Sequence, residues 1–284
     1  MSPPSAAVTA ELREVRGPGA IGGGWRRFWD LLYLMSVTEF KRTYFGTVLG
    51  YVWSLLRPLL LFAVLLFVFT QVFRIGSQVS NYPVLLLFNV VVFSFFQEAT
   101  TLSVNSVVAQ EGIVRKTQFP RLVIPMSIVL TALFNLGANM IAVVIFLVAY
   151  GVDPMWTWLL FPLLVAALIV ITAAVSMLLS ALYVRFRDVA IIWSVAVTAL
   201  FYATPVLYPF ELVPDRFREL VALNPLTPLF CQIRTWIIDP DAPGAAAAVG
   251  GWTHLIAPFA IFLAICAVGV WVFNREAPRV AEEL

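Results

Sequence analysis

The sequence is poor in charge, because only 12% of its 284 residues are Asp, Glu, Lys or Arg. Soluble domains of this size carry about 25% charged residues. Hydrophobic residues make up 61% of the chain, and the mean hydropathy is +0.93. This composition excludes an ordinary soluble protein and indicates that most of the chain lies in a lipid bilayer.

Residues that carry catalysis and metal binding are also scarce. Cys231 and Cys266 are the only cysteines and His254 is the only histidine, so disulfide frameworks, zinc clusters and His-based catalytic triads lack partners. Neither of the two lysines, Lys41 and Lys116, follows the glycine loop of a P-loop ATPase. We therefore expect no enzyme activity and no metal or cofactor site in this chain, and no nucleic-acid partner.

What the sequence does contain is six apolar stretches, each long enough to cross a bilayer. A span needs about 20 apolar residues because the hydrocarbon core is about 30 Å thick. The expected fold is an all-α membrane protein with six transmembrane helices, within a permease domain of residues 46–284. The predicted spans are Ser54–Phe73, Val84–Val108, Leu122–Tyr150, Trp156–Tyr183, Val189–Tyr208 and Leu255–Phe273.

The positive charges predict the orientation of these spans. Fourteen of the eighteen cations fall in one set of segments: the N-terminus, residues 109–121, residues 184–188 and the C-terminus. Cytoplasmic loops are enriched in Lys and Arg, so both termini are expected in the cytoplasm. Residues 1–24, rich in Gly, Pro and Ala, are predicted to form a mobile cytoplasmic tail without the features of a signal peptide.

Residues 25–45 predict an amphipathic helix ahead of the first span. Phe28, Leu31, Leu32 and Met35 recur at i, i+3, i+4 and i+7, which places them on one helical face. We expect this helix to lie in the cytoplasmic interface of the membrane. A helix packed against a soluble domain would show the same pattern.

A basic hinge joins the second and third spans. The stretch "EGIVRKTQFPRLVIP" places Arg115, Lys116 and Arg121 around Phe119 and Pro120, between two apolar spans. The residues alone indicate a cytoplasmic, proline-terminated segment with an aromatic tip.

Polar and aromatic side chains within the spans have two possible roles. One polar stripe follows the second span and another follows the third; each stripe either joins helices or lines a wet or substrate-filled path. The second span carries Ser94, Gln97, Glu98, Thr101 and Asn105, and the third carries Thr131, Asn135 and Asn139. Phe62, Phe69, Tyr202 and Tyr208 belong to dense aromatic sets. Such sets either face lipid or offer flat surfaces on which sugar rings stack. We take Gln97, Glu98 and these four aromatic residues as candidates for the lining of a channel.

The segment 209–235 is too polar to span the membrane and too apolar for a simple loop. It is predicted to form two short external helices that break at Asn224 and Pro225, because proline disfavours α geometry in the residue before it. Its apolar residues would let the pair re-enter the outer leaflet, where irregular backbone is tolerated only if protein buries it or a cavity adjoins it.

Five segments in order resemble the ABC type-2 permeases, in the branch that exports polysaccharides, O-antigens and teichoic acids. They are "FKRTYFGTVLGYVWSLLRPLL", "VRKTQFPRLVIP", "YVRFRD", "TPVLYP" and "NPLTPL". The resemblance implies a homodimer that binds two copies of a separate P-loop ATPase subunit, which holds ATP and Mg²⁺. It also implies that residues 109–121 form a coupling helix on that subunit and that residues 209–235 gate the exit.

The implied function is ATP-driven export of a lipid-linked cell-surface polysaccharide across the bacterial cytoplasmic membrane. An ABC exporter of a lipid or small drug would share the fold. A proton-driven secondary transporter that uses Glu98 is the alternative from another class, although no inverted repeat is visible in the sequence.

Overall fold

A computed structural model describes residues 25–44, 50–74, 79–112 and 120–276, and their regular secondary structure is entirely helical. The predicted tail 1–24 lies outside the described residues, and so do Arg115, Lys116 and Phe119 of the basic hinge.

Eleven α-helices follow one another along these ranges. They are α1 Trp25–Tyr44, α2 Gly50–Phe67, α3 Tyr82–Val104, α4 Ser106–Ala109, α5 Val123–Ala149, α6 Phe161–Arg185, α7 Val189–Ala203, α8 Asp215–Leu223, α9 Thr227–Ile233, α10 Ala245–Ala248 and α11 Ile256–Glu276. Short π-helical turns continue α2 through Val68–Val72 and α9 through Arg234–Ile238. Short 3₁₀ turns precede α6 at Trp156–Leu160 and α11 at Trp252–Leu255.

Within the described ranges, five helical segments are long and apolar enough to cross a membrane. They are Val52–Val72, Tyr82–Val104, Val123–Ala149, Trp156–Arg185 and Trp252–Glu276. The prediction of an all-helical multi-pass membrane protein is therefore confirmed. The fifth predicted span, Val189–Tyr208, corresponds to the shorter apolar helix α7, and its crossing of the membrane stays a prediction.

Helix α7 ends at Ala203, five residues before the predicted end of the fifth span. The reason is Pro205, which pushes the preceding residue out of the α region. Thr204 has φ −93° and ψ 145°, which is extended backbone. Fifteen helical residues reach only about 22 Å at about 1.5 Å per residue, so α7 by itself is shorter than the hydrocarbon core.

Helix α3 is the centre of the helix assembly. Its neighbours are α5 and α6, with α2 against its outer side. In the most apolar stretch of α3, 78% of the residues are buried, against 11% for the spans that contain α2 and α11. Most of α3 is therefore covered by other helices, while α2 and α11 leave most of their surfaces exposed.

Helices α6 and α11 pack against each other at very short range. Gly269 permits this approach, because a methyl group at that position would overlap the backbone of Ala174. Small residues at membrane helix contacts commonly serve this purpose.

Candidate functional site

A polar groove opens between α2, α3 and α5, with a volume of about 670 Å³. The polar stripe predicted along the second span contributes four of the side chains that line it. The polar residues of the groove are Ser54, Arg57, Ser94, Gln97, Glu98, Thr101, Asn135 and Asn139. The sequence showed separate stripes on α3 and α5, and the fold brings them together.

Glu98 is held in this groove by α5. Asn135 donates a hydrogen bond from Nδ2 to Glu98 Oε1 at 2.7 Å, and Asn139 donates from Nδ2 to the Asn135 carbonyl at 2.9 Å. Both asparagines are buried, whereas Glu98 is half-buried. An acidic side chain within a span needs a partner. The side-chain amide of Asn135 is one such partner of Glu98.

The α2 side of the groove combines a cation with apolar groups. Arg57 is exposed, and Trp53 lies one turn earlier with 53% of its surface accessible. Leu61 and Leu102 belong to the apolar part of the lining. A ligand in the groove would therefore meet a guanidinium, an indole, amides and a carboxylate.

The non-helical segment 204–209 after α7 is hydrogen-bonded to α3. Tyr82 donates a hydrogen bond from its hydroxyl to the Leu207 carbonyl at 2.7 Å. Asn89 Nδ2 lies 3.3 Å from the Pro205 carbonyl oxygen and 3.2 Å from that of Val206. Side chains of α3 thus satisfy carbonyls that a helix would otherwise have paired, as backbone buried at membrane depth requires. Tyr82 and Asn89 were not predicted from the sequence. The only local sign of their role is a polar group within an apolar stretch of sequence.

Asn224 and Pro225 lie at the break between α8 and α9, as predicted. Asn224 donates from Nδ2 to Thr204 Oγ1 at 2.8 Å, and its Oδ1 accepts a hydrogen bond from the Leu226 amide at 3.0 Å. The Thr227 hydroxyl also bridges the break by donating to the Val221 carbonyl at 2.7 Å. The break is therefore an ordered turn attached to the segment that ends α7.

An ion-pair cluster lies at the end of α9. Arg234 is bonded to Glu211 at 2.9 Å and lies 3.8 Å from Asp239. Burial, assisted by the negative charge of Glu211, raises the pKa of the adjacent Cys231 thiol to about 12, although Arg234 lowers it in part. The Cys231 thiol therefore stays protonated near neutral pH and is a poor nucleophile.

The predicted apolar face of α1 packs against protein. Phe28 and Leu32 are buried in a cluster with Val107, Val123 and Ile124, and Leu31 and Met35 pack at its edge. Beside this buried face, α1 exposes large aromatic residues. They are Trp25, Trp29 and Tyr33, which are 65%, 49% and 65% exposed. The rings of Trp25 and Trp29 contact Phe28.

Only the end of the basic hinge is described. Pro120 and Arg121 are buried, and their carbonyls accept hydrogen bonds from the Val123 and Ile124 amides as α5 begins. Arg121 is 4% exposed, so it lies against the bundle and is not an open surface cation.

The aromatic candidates divide between two places. Phe62 is buried edge-on against Phe146 with 5.4 Å between ring centroids, and Phe69 is half-buried beside Phe73. Phe62 therefore does not lie on an open surface of this chain. Tyr202 is 59% exposed at the end of α7, and its carbonyl accepts a hydrogen bond from the Tyr208 hydroxyl at 2.8 Å.

Comparison with known proteins identifies the family. The sequence profile described as "ABC-2 type transporter" matches residues 30–237. The chain belongs to the ABC-2 type transporter family. This ABC-2 permease is a multi-pass membrane protein and the membrane component of an exporter. The family's membrane domain contains neither a catalytic ATPase site nor a cofactor, and a separate nucleotide-binding subunit binds ATP.

Several relatives resemble this ABC-2 permease along nearly their whole length. The O-antigen export system permease protein RfbA of Klebsiella pneumoniae is 30% identical over 256 residues, which cover 90% of this chain and 95% of that protein. The protein of the same name in Myxococcus xanthus is 29% identical over 248 residues, which cover 87% of this chain and 93% of that protein.

Proposed function

We propose that this permease exports a lipid-linked cell-surface polysaccharide, such as an O-antigen or teichoic acid, across the bacterial cytoplasmic membrane. The observation that carries this proposal is the near full-length similarity to O-antigen export permeases. An exporter of a smaller lipid or drug is the alternative with the same fold, since the cargo of a relative is not a property of this chain.

The proposed assembly is a homodimer with two copies of an ATPase subunit. Both termini are cytoplasmic, as the distribution of fourteen of eighteen cations favours. The fifth of the six crossings consists of α7 and the non-helical segment 204–209, in which Tyr82 and Asn89 contact the carbonyls of Pro205, Val206 and Leu207. Helix α1 lies in the cytoplasmic interface, with Trp25, Trp29 and Tyr33 at headgroup level.

The proposed contact with the ATPase is the cytoplasmic hinge 109–121. Arg115 and Lys116 supply positive charge for an acidic groove, and Phe119 supplies an anchor. The buried Pro120 and Arg121 support the hinge from the start of α5. In the same proposal, helices α8 and α9 form the external gate, re-enter the outer leaflet and turn at Asn224 and Pro225.

The proposed path of the glycan runs along accessible surfaces of the chain. Gln97 and Glu98 in the groove and Tyr202 on α7 are accessible in the single chain, and Tyr208 is half-buried beside Tyr202. Phe62 and Phe69 stay candidates for the lining, although Phe62 would have to leave its contact with Phe146.

Two measurements on native membranes test the proposed function. Affinity capture of the tagged permease should recover a P-loop ATPase, and deletion of the permease should leave lipid-linked glycan inside the cell and remove it from the surface. Recovery of the ATPase with an unchanged surface glycan would favour the lipid or drug exporter. Absence of any ATPase, together with transport driven by a proton gradient, would favour the secondary transporter.

A further inference from the structure

The groove between α2, α3 and α5 has the dimensions of a ligand site. Small-molecule sites in proteins have volumes of about 300–1,000 Å³, and this groove measures about 670 Å³. It combines apolar walls from Trp53, Leu61 and Leu102 with converging polar groups. Polar groups within membrane spans are costly unless they serve packing or a ligand.

Two buried asparagines of α5 form the floor of the groove. Asn135 and Asn139 are 2% and 6% exposed; the Asn135 side chain donates a hydrogen bond to Glu98 Oε1, and the Asn139 side chain donates one to the backbone carbonyl of Asn135. The hydrogen bond from Asn135 thus orients the Glu98 carboxylate at the groove. Gln97, on the neighbouring position of α3, adds a further donor and acceptor at the groove.

The remaining groups define the chemistry of the ligand. The Arg57 guanidinium presents a planar set of donors that suits a phosphate. Gln97 and Glu98 suit hydroxyl and acetamido groups, and the exposed face of Trp53 suits the C–H face of a sugar ring. A phosphate linked to a sugar can contact the cation, the polar side chains and the indole ring together. An ordinary phospholipid headgroup contacts chiefly the cation.

The position of the groove also suits a lipid-borne ligand. Arg57 lies seven residues into α2, about 10 Å from its start at about 1.5 Å per residue. In the proposed orientation this is the cytoplasmic end of the first span. Next to the groove, α2 exposes apolar side chains along which a lipid tail can lie. They are Leu60, Leu61, Val64 and Phe67, which are 41% to 62% exposed.

We propose that this groove binds the phosphate-linked sugar headgroup of the lipid-linked cargo from the cytoplasmic leaflet before transport. This inference rests on the proposed function, because it assumes a lipid-linked glycan as cargo. Arg57 contacts the phosphate, Gln97 and Glu98 contact the first sugar, and Trp53 covers its ring.

Lipid binding to the full-length permease with its ATPase subunit, in phosphatidylcholine nanodiscs, tests the groove. The probes are a short-chain prenyl diphospho-N-acetylhexosamine, the same prenyl diphosphate without sugar, and phosphatidylglycerol. We expect the sugar-bearing lipid to bind about tenfold more tightly than the prenyl diphosphate, because it gains hydrogen bonds and ring contact. Phosphatidylglycerol should bind more weakly than either.

Single-residue variants test which side chain of the groove contacts which part of the lipid. Arg57→Gln should weaken both diphosphate lipids by about tenfold or more, because a charge-assisted contact is lost, and Arg57→Lys should restore part of the affinity. Gln97→Leu and Trp53→Leu should weaken only the sugar-bearing lipid. Arg216→Gln, which removes an exposed cation from α8, is the matched control and should bind all three lipids like wild type. Gel-filtration profiles and melting temperatures establish that each variant folds.

Three outcomes would overturn the proposal. They are equal binding of phosphatidylglycerol and the sugar-bearing lipid, unchanged binding in folded Arg57→Gln, and a photocrosslinker at Leu102 that captures the second copy instead of the lipid. If the groove fails while the ATPase co-purifies and surface glycan depends on the permease, the exporter function stands. If the groove binds the sugar-bearing lipid but deletion of the permease leaves surface glycan unchanged, the proposed function fails.

Discussion

Among single residues, Asn89 has the clearest structural task outside the groove. Its buried amide Nδ2 lies within hydrogen-bonding distance of the carbonyl oxygens of Pro205 and Val206, in a segment that cannot be helical because of Pro205. The amide therefore stabilises the irregular end of α7.

Asn89→Leu should lower the free energy of unfolding by about 1–3 kcal/mol, because buried carbonyls lose their donor. Tyr82→Phe, which removes only the hydroxyl bonded to Leu207, should cost less, about 1 kcal/mol. Thermal unfolding in detergent micelles measures both. Equal stability of wild type and Asn89→Leu would show that the 204–209 segment does not depend on α3.

A variant of Glu98 distinguishes ATP-driven export from proton-driven transport. Glu98→Gln keeps a carbonyl oxygen that accepts the hydrogen bond from Asn135, so most transport should persist and ATP should still drive it. Proteoliposomes with a clamped pH gradient measure this. Loss of transport together with loss of a dependence on the proton gradient would favour a secondary transporter.

Between elements, the contact of α6 with α11 depends on Gly269. Gly269→Ala should destabilise the protein by about 1–3 kcal/mol, because the added methyl group overlaps the Ala174 backbone and forces the helices apart. Gly137 of α5 is the matched control, since a methyl group there meets no atom within 4 Å. Gly137→Ala should be neutral or stabilise by about 0.5–1 kcal/mol.

Melting temperatures of the two glycine variants decide this prediction. Equal melting temperatures for Gly269→Ala and Gly137→Ala would show that α11 can shift on α6 without cost, which the close packing of these helices argues against.

The cytoplasmic hinge is the element expected to transmit ATP hydrolysis to the spans. The double variant Arg115→Glu, Lys116→Glu should insert normally but uncouple hydrolysis from export, because it reverses the charge facing the ATPase. A single surface ion pair is worth only about 0–1 kcal/mol, so both reversals are needed. ATPase activity and export are measured together in membranes, and normal export by the double variant would place the docking site elsewhere.

Local sequence patterns predicted where helices begin and end better than they predicted which residues make contact. The break at Asn224 and Pro225 was predictable because proline acts on the residue before it. The same rule at Pro205 would have ended α7 at its observed residue, but the apolar run that continues to Tyr208 favoured a longer helix. The hydrogen bond from Tyr82 to Leu207 joins residues 125 positions apart, which no local pattern records.

The groove was predicted only in pieces for the same reason. Periodicity located Glu98 on one face of the second span and Asn135 on one face of the third. Only the packing of α3 against α5 brings them within 2.7 Å. Packing likewise turned the apolar face of α1, at Phe28 and Leu32, toward the bundle.

In the whole transporter, a separate subunit binds ATP. The chain supplies membrane helices, a polar groove and the helix pair α8 and α9, which is held by hydrogen bonds of Asn224 and by the Arg234–Glu211 ion pair. In the proposed function these parts bind, guide and release a glycan while the energy comes from ATP.

Transport by the reconstituted complex is the direct test of ATP-driven glycan export. The permease and the ATPase captured with it are placed in liposomes with their ATP sites outward, and a fluorescent lipid-linked glycan is supplied in the outer leaflet. ATP should move the glycan to the interior, where an external glycosidase cannot cleave it, and a non-hydrolysable analogue should leave it accessible. Glycan that stays accessible during active ATP hydrolysis, or that moves with a proton gradient alone, would contradict the account.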